Sequence, residues 1–222
     1  MAKWQFIRRF ADSRDPHSLA SRMRRARFEW FCELVEDLPS PVRVLDIGGT
    51  ESFWKGMAPP NGRFEVELLN LTPQETTVPW ITASVGDATD LSGIPDRAFD
   101  VAFSNSVIEH LFTWENQQKM AAQVRRVARR YFVQTPNRYC PLEPHFHVPG
   151  FQFLPLTVRA RLLQRFSLGF VERAASEAEA FKRVSEIRLL TAMELRRLFP
   201  DAVIRRERFA GLTKSLVAHS SL

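Results

Sequence analysis

The feature that most restricts the fold is an alternation that starts at residue 42. Short apolar runs bounded by Gly, Pro or Asp take turns with helical stretches. The runs are VRVLDI (42–47), RFEVELLNL (63–71), WITASV (80–85), FDVAFSNS (99–106) and RYFVQT (130–135). Runs this short with such boundaries read as strands. TWENQQKMAAQVRRVARR (113–130) reads as a helix, with Thr113 as N-cap and Val124, Val127 and Ala128 facing the sheet. Strands separated by crossovers pair in parallel, which predicts an α/β, Rossmann-like sheet covered by helices on both faces. Near the end, AVIRRERF and LTKSLVAH flank a short Ala-Gly turn. They predict an antiparallel C-terminal hairpin and bring the strand count to seven.

Helical patterns frame this core. SLASRMRRARFEWFCELVED (18–37) spaces Leu19, Met23, Phe28, Phe31 and Leu34 as a leading helix, closed off by Pro39 and Pro41. Its Phe28, Trp30 and Phe31 are expected in the core. In TAMELRRLFP, Thr191 and Glu194 stand at capping-box spacing before Leu195, Leu198 and Phe199.

Composition excludes several classes. The 222 residues are 45% hydrophobic and 25% charged, as in a soluble globular chain. The net charge of +6 invites a nucleic-acid partner, but the arginines are dispersed in SRMRRAR, RRVARR and RRER with acids between them. Solvated faces explain that pattern, and no nucleic acid is expected. Cys32 and Cys140 lie far apart in no motif, so neither a disulfide framework nor a zinc cluster is predicted. No apolar run approaches the ~18 residues of a membrane span. MAKWQFIRRFADSRD lacks the apolar core of a secretory leader, which suggests a cytoplasmic protein.

Chemistry gathers at the strand ends. Asp46, Asn70, Asp87 and Asn105 place a polar group at the carboxyl end of each of the first four strands. Open α/β sheets bind ligands at that edge. Gly48 and Gly49 let the backbone turn sharply and approach a ligand. The three-glycine dinucleotide fingerprint is absent, which disfavours a nicotinamide-dependent oxidoreductase.

With these residues in order, the chain resembles the class I S-adenosylmethionine-dependent methyltransferases, in particular the small-molecule type 11-like group. The resemblance runs from about Val42 to Pro136 and more loosely beyond. VLDIGGT is similar to the motif whose acid and glycines (Asp46, Gly48, Gly49) hold the methionine part of S-adenosylmethionine. Asn70 stands where the group usually has a ribose-binding acid; an amide donates and accepts, but loses bidentate acceptance. GDATDL resembles the adenine-side motif, with Asp87 and the Ala88 amide. FDVAFSNSVIEHL resembles the fourth-strand motif, with Asn105 and Ser106 near the sulfonium and Glu109 and His110 opening the next segment. The resemblance implies one domain: a helical segment (1–41), a cofactor-binding core (42–135), an acceptor-side insertion or lid (136–190), and a closing helix and hairpin (191–222). The insertion is expected to lack a core of its own.

The implied reaction moves a methyl group to oxygen or nitrogen of a small-molecule acceptor. VQTPNRYCPLEPHFHVPGFQFLP (133–155), stiffened by five prolines from Pro136 on, is expected over the active-site edge. His110, His145 and Glu143 are candidate bases; Glu109, Asn137 and His147 are candidate acceptor contacts. Glu143, His145 and His147 are too few to predict a metal. FQFLPLTVRARLLQRFSLGF spaces apolar residues with Arg159, Arg161 and Arg165. It suits a lid helix packed on the body, and also peripheral membrane contact near a lipid-linked acceptor. A non-catalytic partner-binding domain is the competing reading, supported by Asn70.

Overall fold

A computed structural model describes residues 18–221. The reading of the extreme N-terminus as leaderless lies outside the described residues. The order is α1 (Leu19–Leu34), β1 (Val42–Ile47), α2 (Glu51–Met57), β2 (Phe64–Asn70), β3 (Ile81–Val85), β4 (Phe99–Asn105), α3 (Trp114–Val127) and β5 (Ala128–Pro136). Then come α4 (Leu156–Arg165), α5 (Glu177–Ser185), α6 (Ala192–Leu198), β6 (Ala202–Phe209) and β7 (Leu212–Ser220). Two 3-10 turns, Ile108–His110 and Phe151–Phe153, complete it.

The seven strands form one sheet in the order β3-β2-β1-β4-β5-β7-β6. β1 to β5 are parallel, and β7 runs antiparallel between β5 and β6. The predicted hairpin is present, and β7 lies inside the sheet rather than at its edge. Because the side-chain period of a strand is two, each strand feeds both faces. Leu45, Ile47, Ala102, Tyr131 and Val133 meet Met120, Val124 and Val127 of α3 and Leu195 and Leu198 of α6. Val42, Val44, Val101, Phe103 and Phe132 meet Phe28, Phe31 and Leu34 of α1 and Trp54 of α2. Phe31 and Phe103 cross with centroids 4.9 Å apart, and Phe103 stacks on Phe132 at 5.6 Å. Phe28 and Phe31 are therefore core, as expected, while Trp30 is only half-buried at the edge of the cluster, with Arg205 over its ring.

Local signals hold where hydrogen bonds satisfy free backbone groups. Ser18 caps α1, Thr113 caps α3, and Thr191 with Glu194 forms the capping box of α6. α1 ends at Leu34, several residues before Pro39. Arg63 reaches back to the carbonyls of Leu38, at 2.8 Å, and Val35, tying down the exit from the helix.

One expectation is corrected. The segment between β5 and α6 carries a buried cluster of its own: Phe146, Phe151, Ala160, Leu163, Ala174, Ala180 and Val184. Its α4 and α5 pack on each other through Ala160, Leu163, Ala180 and Val184. Small residues separated by loops gave no long periodic run that would reveal this cluster in the sequence. Among the described residues no helix is long and apolar enough to cross a membrane.

Candidate active site

The parallel strands end on one rim, so Asp87, Asn70, Asp46 and Asn105 follow one another along it in the strand order β3-β2-β1-β4. The rim is held by backbone bonds from Gly48 to the Leu69 carbonyl (2.8 Å) and from Gly86 to the Asn70 carbonyl (2.9 Å). Gly48 has φ +74, and a Cβ there would come within 2.5 Å of Val107 Cγ2. A Cβ on Gly49 would lie 1.8 Å from Asp46 Oδ2. That missing atom leaves room for the Asp46 carboxylate beneath the loop.

Asp46 is buried, and its Oδ2 accepts from Trp54 Nε1 at 2.8 Å. Burial pushes its pKa up to about 7, with the Trp54 hydrogen bond opposing. Its Oδ1 has no hydrogen-bond partner among the described residues. Thr50, not Asp46, caps α2. Asn70 Nδ2 donates to the Gly49 carbonyl at 3.1 Å, tying the second strand end to the glycine loop. Asp87 Oδ1 accepts from the Thr89 amide and hydroxyl, both at 2.8 Å, which shapes the turn after β3. Ala88 is buried beside it.

Beyond the end of β4 opens a cavity of about 1090 Å³. Asn105, Ser106, Glu109, His110, His145 and His147 all line it. Asp46, Gly48, Gly49, Asn70, Asp87 and Ala88 follow the rim outside that lining. Asn137 also stands apart: its Nδ2 donates to the Thr213 carbonyl (2.9 Å) and its Oδ1 accepts from the Tyr139 amide (3.3 Å). Its amide group is committed to the chain, which corrects its expected place among the acceptor contacts.

Glu109 sits on the 3-10 turn and is fully buried. The turn is anchored by Gln117 Nε2 on the Ile108 carbonyl (2.9 Å) and by the Arg188 amide on the Glu109 carbonyl (2.7 Å). Thr135 donates to Glu109 Oε2 at 3.0 Å, and Oε1 has no hydrogen-bond partner among the described residues. Burial pushes the Glu109 pKa up to about 7, against its backbone hydrogen bond and the nearby His145 charge.

Glu143 is buried and outside the cavity lining. Its carboxylate accepts from the amides of His145 (2.7 Å) and Phe146 (2.6 Å) and meets His145 Nδ1 at 2.7 Å. A carboxylate so occupied is not free to act as a base, which corrects its expected role. Burial works against a charged His145, but Glu143's hydrogen bond and charge outweigh it and hold its pKa above the ordinary value. His110, whose ring meets that of His145 edge-on at 5.0 Å, is lowered to about 4 by burial and by His145. It is neutral near pH 7. Ligand atoms of Glu109, His110 and His145 all lie within 4.8 Å of one another, a spacing that one cation could share. His147 lies instead against Phe170, with ring centroids 4.5 Å apart.

Sequence reasoning missed Arg27. It is buried on α1, donates to Asn105 Oδ1, and pairs through Nε with Glu207 Oε1 at 3.1 Å. Within SRMRRAR it looks like any solvated arginine, and its acid partner is 180 residues away. Gln134, which accepts from Ser106 Oγ at 2.8 Å, likewise carried no signal beyond its strand-end position.

A seven-stranded sheet with one antiparallel strand next to the edge, and a polar rim at β1 to β4, defines the class I methyltransferase fold. Residues 64–131 match the family model described as "Methyltransferase domain". Over those residues the chain is similar to that family, and its sheet topology is that of the class I methyltransferase fold. An uncharacterized protein recorded in two Mycobacterium tuberculosis strains is 26% identical over 151 residues, covering 64% of this chain and 51% of the relative. The chain thus spans about half the length of the curated relatives it matches. Among solved structures, the CurJ carbon methyltransferase aligns with a TM-score of 0.58 at 12% identity, covering 93% of this chain and 56% of that one. The Burkholderia thailandensis 1,6-didemethyltoxoflavin-N1-methyltransferase, solved with bound 1,6-didemethyltoxoflavin and S-adenosylhomocysteine, aligns with a TM-score of 0.53 at 15% identity, covering 98% of this chain and 86% of that one. At these identities both likenesses concern the fold.

Proposed function

We propose that the protein transfers a methyl group from S-adenosylmethionine to an oxygen or nitrogen of a small-molecule acceptor bound in the large cavity. The observation that carries this reading is the position of Glu109. A buried carboxylate, with one oxygen that has no partner among the described residues, lines the cavity beside Asn105 and Ser106.

The rim fits the cofactor. Asp46 keeps a buried oxygen without a partner among the described residues, and the Gly48–Gly49 backbone forms a cradle that side chains would fill. Asp46, Gly48 and Gly49 would hold the methionine part, Asn70 the ribose, Asp87 and Ala88 the adenine, and Asn105 and Ser106 the region near sulfur. Asn70 spends its Nδ2 on Gly49, which leaves Oδ1 to accept from one hydroxyl. Bound there, the cofactor supplies an already activated methyl group. The protein's task is then alignment and proton removal.

Glu109 takes the acceptor's proton. Its pKa of about 7 is near working pH, where a base is most effective. His145, held by Glu143, lies near Glu109, where its charge favours the ionised carboxylate, and neutral His110 accepts a hydrogen bond from the acceptor. His147 contributes to the wall. The 136–190 segment serves as the acceptor-side lid, with Cys140 to Leu142, Pro144 and Phe170 to Glu172 along the cavity. A small-molecule acceptor is supported by the volume of the cavity and by the small acceptor of the B. thailandensis neighbour.

Calorimetric titration with S-adenosylmethionine, S-adenosylhomocysteine and NAD tests the reading. Binding of the first two and not of NAD is expected. Binding of NAD alone would indicate an oxidoreductase, and binding of none a partner-binding domain.

A further inference from the structure

The wall of the cavity formed by α1 and β7 has more positive charge than its own acids can balance. Arg24 and Arg27 stand three residues apart on α1, hence on one face of the helix. Lys214 comes from the start of β7. That antiparallel strand begins where β5 ends, with Pro136 opposite Ser215, so Lys214 is delivered to the same rim as the parallel strand ends. All three cations line the cavity.

Glu207 is the carboxylate within this group, and it is already used. It accepts from Arg27 Nε at 3.1 Å and from Ser215 Oγ at 2.6 Å. Arg24 and Lys214 make no ion pair among the described residues. Lys214 Nζ instead contacts Met23 Sδ at 3.4 Å. Burial and then the Arg27 charge lower the Arg24 pKa; for Lys214 burial leads, Glu207 opposes, and Arg27 and Arg24 add to the lowering. Desolvating a cation without a counter-charge is costly unless something offsets it. Apolar side chains line both walls: Met23, Phe209 and Leu212 on the side of the cations, and Leu142, Phe170 and Ile187 on the lid. The opposite wall, on the lid, carries Glu172 and Glu186, and its Arg183 is already paired with Glu179 at 2.6 Å. The arginine and lysine without an acid partner among the described residues thus lie on the α1 and β7 wall.

We infer that Arg24 and Lys214 form an anion subsite for the acceptor, which carries a carboxylate or phosphate on an apolar body. This rests on the proposed reading of the cavity as the acceptor site. The anionic group lies against α1 and β7, the apolar body against the lid, and the nucleophile points towards Glu109.

The test uses full-length protein saturated with S-adenosylhomocysteine, titrated calorimetrically with decanoate, decyl phosphate and decanol. At least one of the anions should bind at least tenfold more tightly than decanol, and the tighter anion names the group. Lys214→Met and Arg24→Met should each remove that preference, roughly a tenfold loss, while Lys214→Arg retains it. Each variant's melting curve and S-adenosylhomocysteine affinity should match the parent. Equal binding of all three probes, or binding of none, overturns the subsite. Variants that lose S-adenosylhomocysteine affinity also overturn it, since the cations would then serve the cofactor's own carboxylate. Failure of the parent protein to bind S-adenosylhomocysteine at all is a separate result, and sinks the methyltransferase reading itself.

Discussion

His145 Nδ1 lies 2.7 Å from Glu143 Oε1, and that same carboxylate accepts the backbone amides of His145 and Phe146. Two residues that looked like alternative bases in the sequence are one unit, in which the acid folds the loop and aims the ring. Glu143→Gln should lower the His145 pKa, read from imidazole NMR shifts, because the charge that raises it is removed. Buried charge-assisted bonds of this kind are worth about 1–3 kcal/mol, so a fall in melting temperature is also expected. An unchanged His145 titration would break the pairing.

Glu109→Gln tests the proton step. General bases contribute on the order of 10²–10⁴ in rate, so kcat should fall by about a hundredfold or more. Cofactor affinity should stay within about twofold, because Glu109 lies off the proposed cofactor rim. A variant that keeps its kcat would remove Glu109 from the mechanism.

Asp46 makes stability depend on pH. Its pKa is raised from 3.8 to about 7 by burial, so the native state favours the protonated acid more than the unfolded chain does. Stability from this group is therefore full below about pH 4 and lost as pH rises through 7. The penalty at pH 8 is on the order of 4 kcal/mol as an upper bound. Asp46→Asn keeps an acceptor for Trp54 and removes the ionisation. The ligand-free variant should melt higher than the parent at pH 8, with a smaller difference at pH 5. The opposite trend would show that Asp46 is ionised and satisfied.

Asp87→Ala should weaken S-adenosylhomocysteine binding more than His147→Ala does, by about tenfold for a lost hydrogen bond to the cofactor. In the proposed site, Asp87 touches the cofactor, while His147 belongs to the acceptor wall against Phe170. Equal affinities by calorimetry would contradict this division.

The legible part of the protein was the part governed by local rules. Strand and helix periods, Thr113 and Thr191 as caps, and polar residues at the ends of β1 to β4 depend on neighbours a few positions away. The segment from Pro136 to Leu190 was less legible. Its small buried residues, Ala160, Ala174 and Ala180, reveal a core only after α4 meets α5.

By itself, then, the sequence determined the alternating architecture and the polar rim, because a strand's carboxyl end is a position along the chain. Tertiary structure alone decided which side chains remain free to act. It occupied Glu143 with three N–H groups and Asn137 with backbone, left an oxygen of Glu109 without a partner among the described residues, and brought Arg27 to Glu207 across most of the chain. Hydrogen-bond capacity and burial are settled by contacts between distant segments, and local residue spacing carries no record of them.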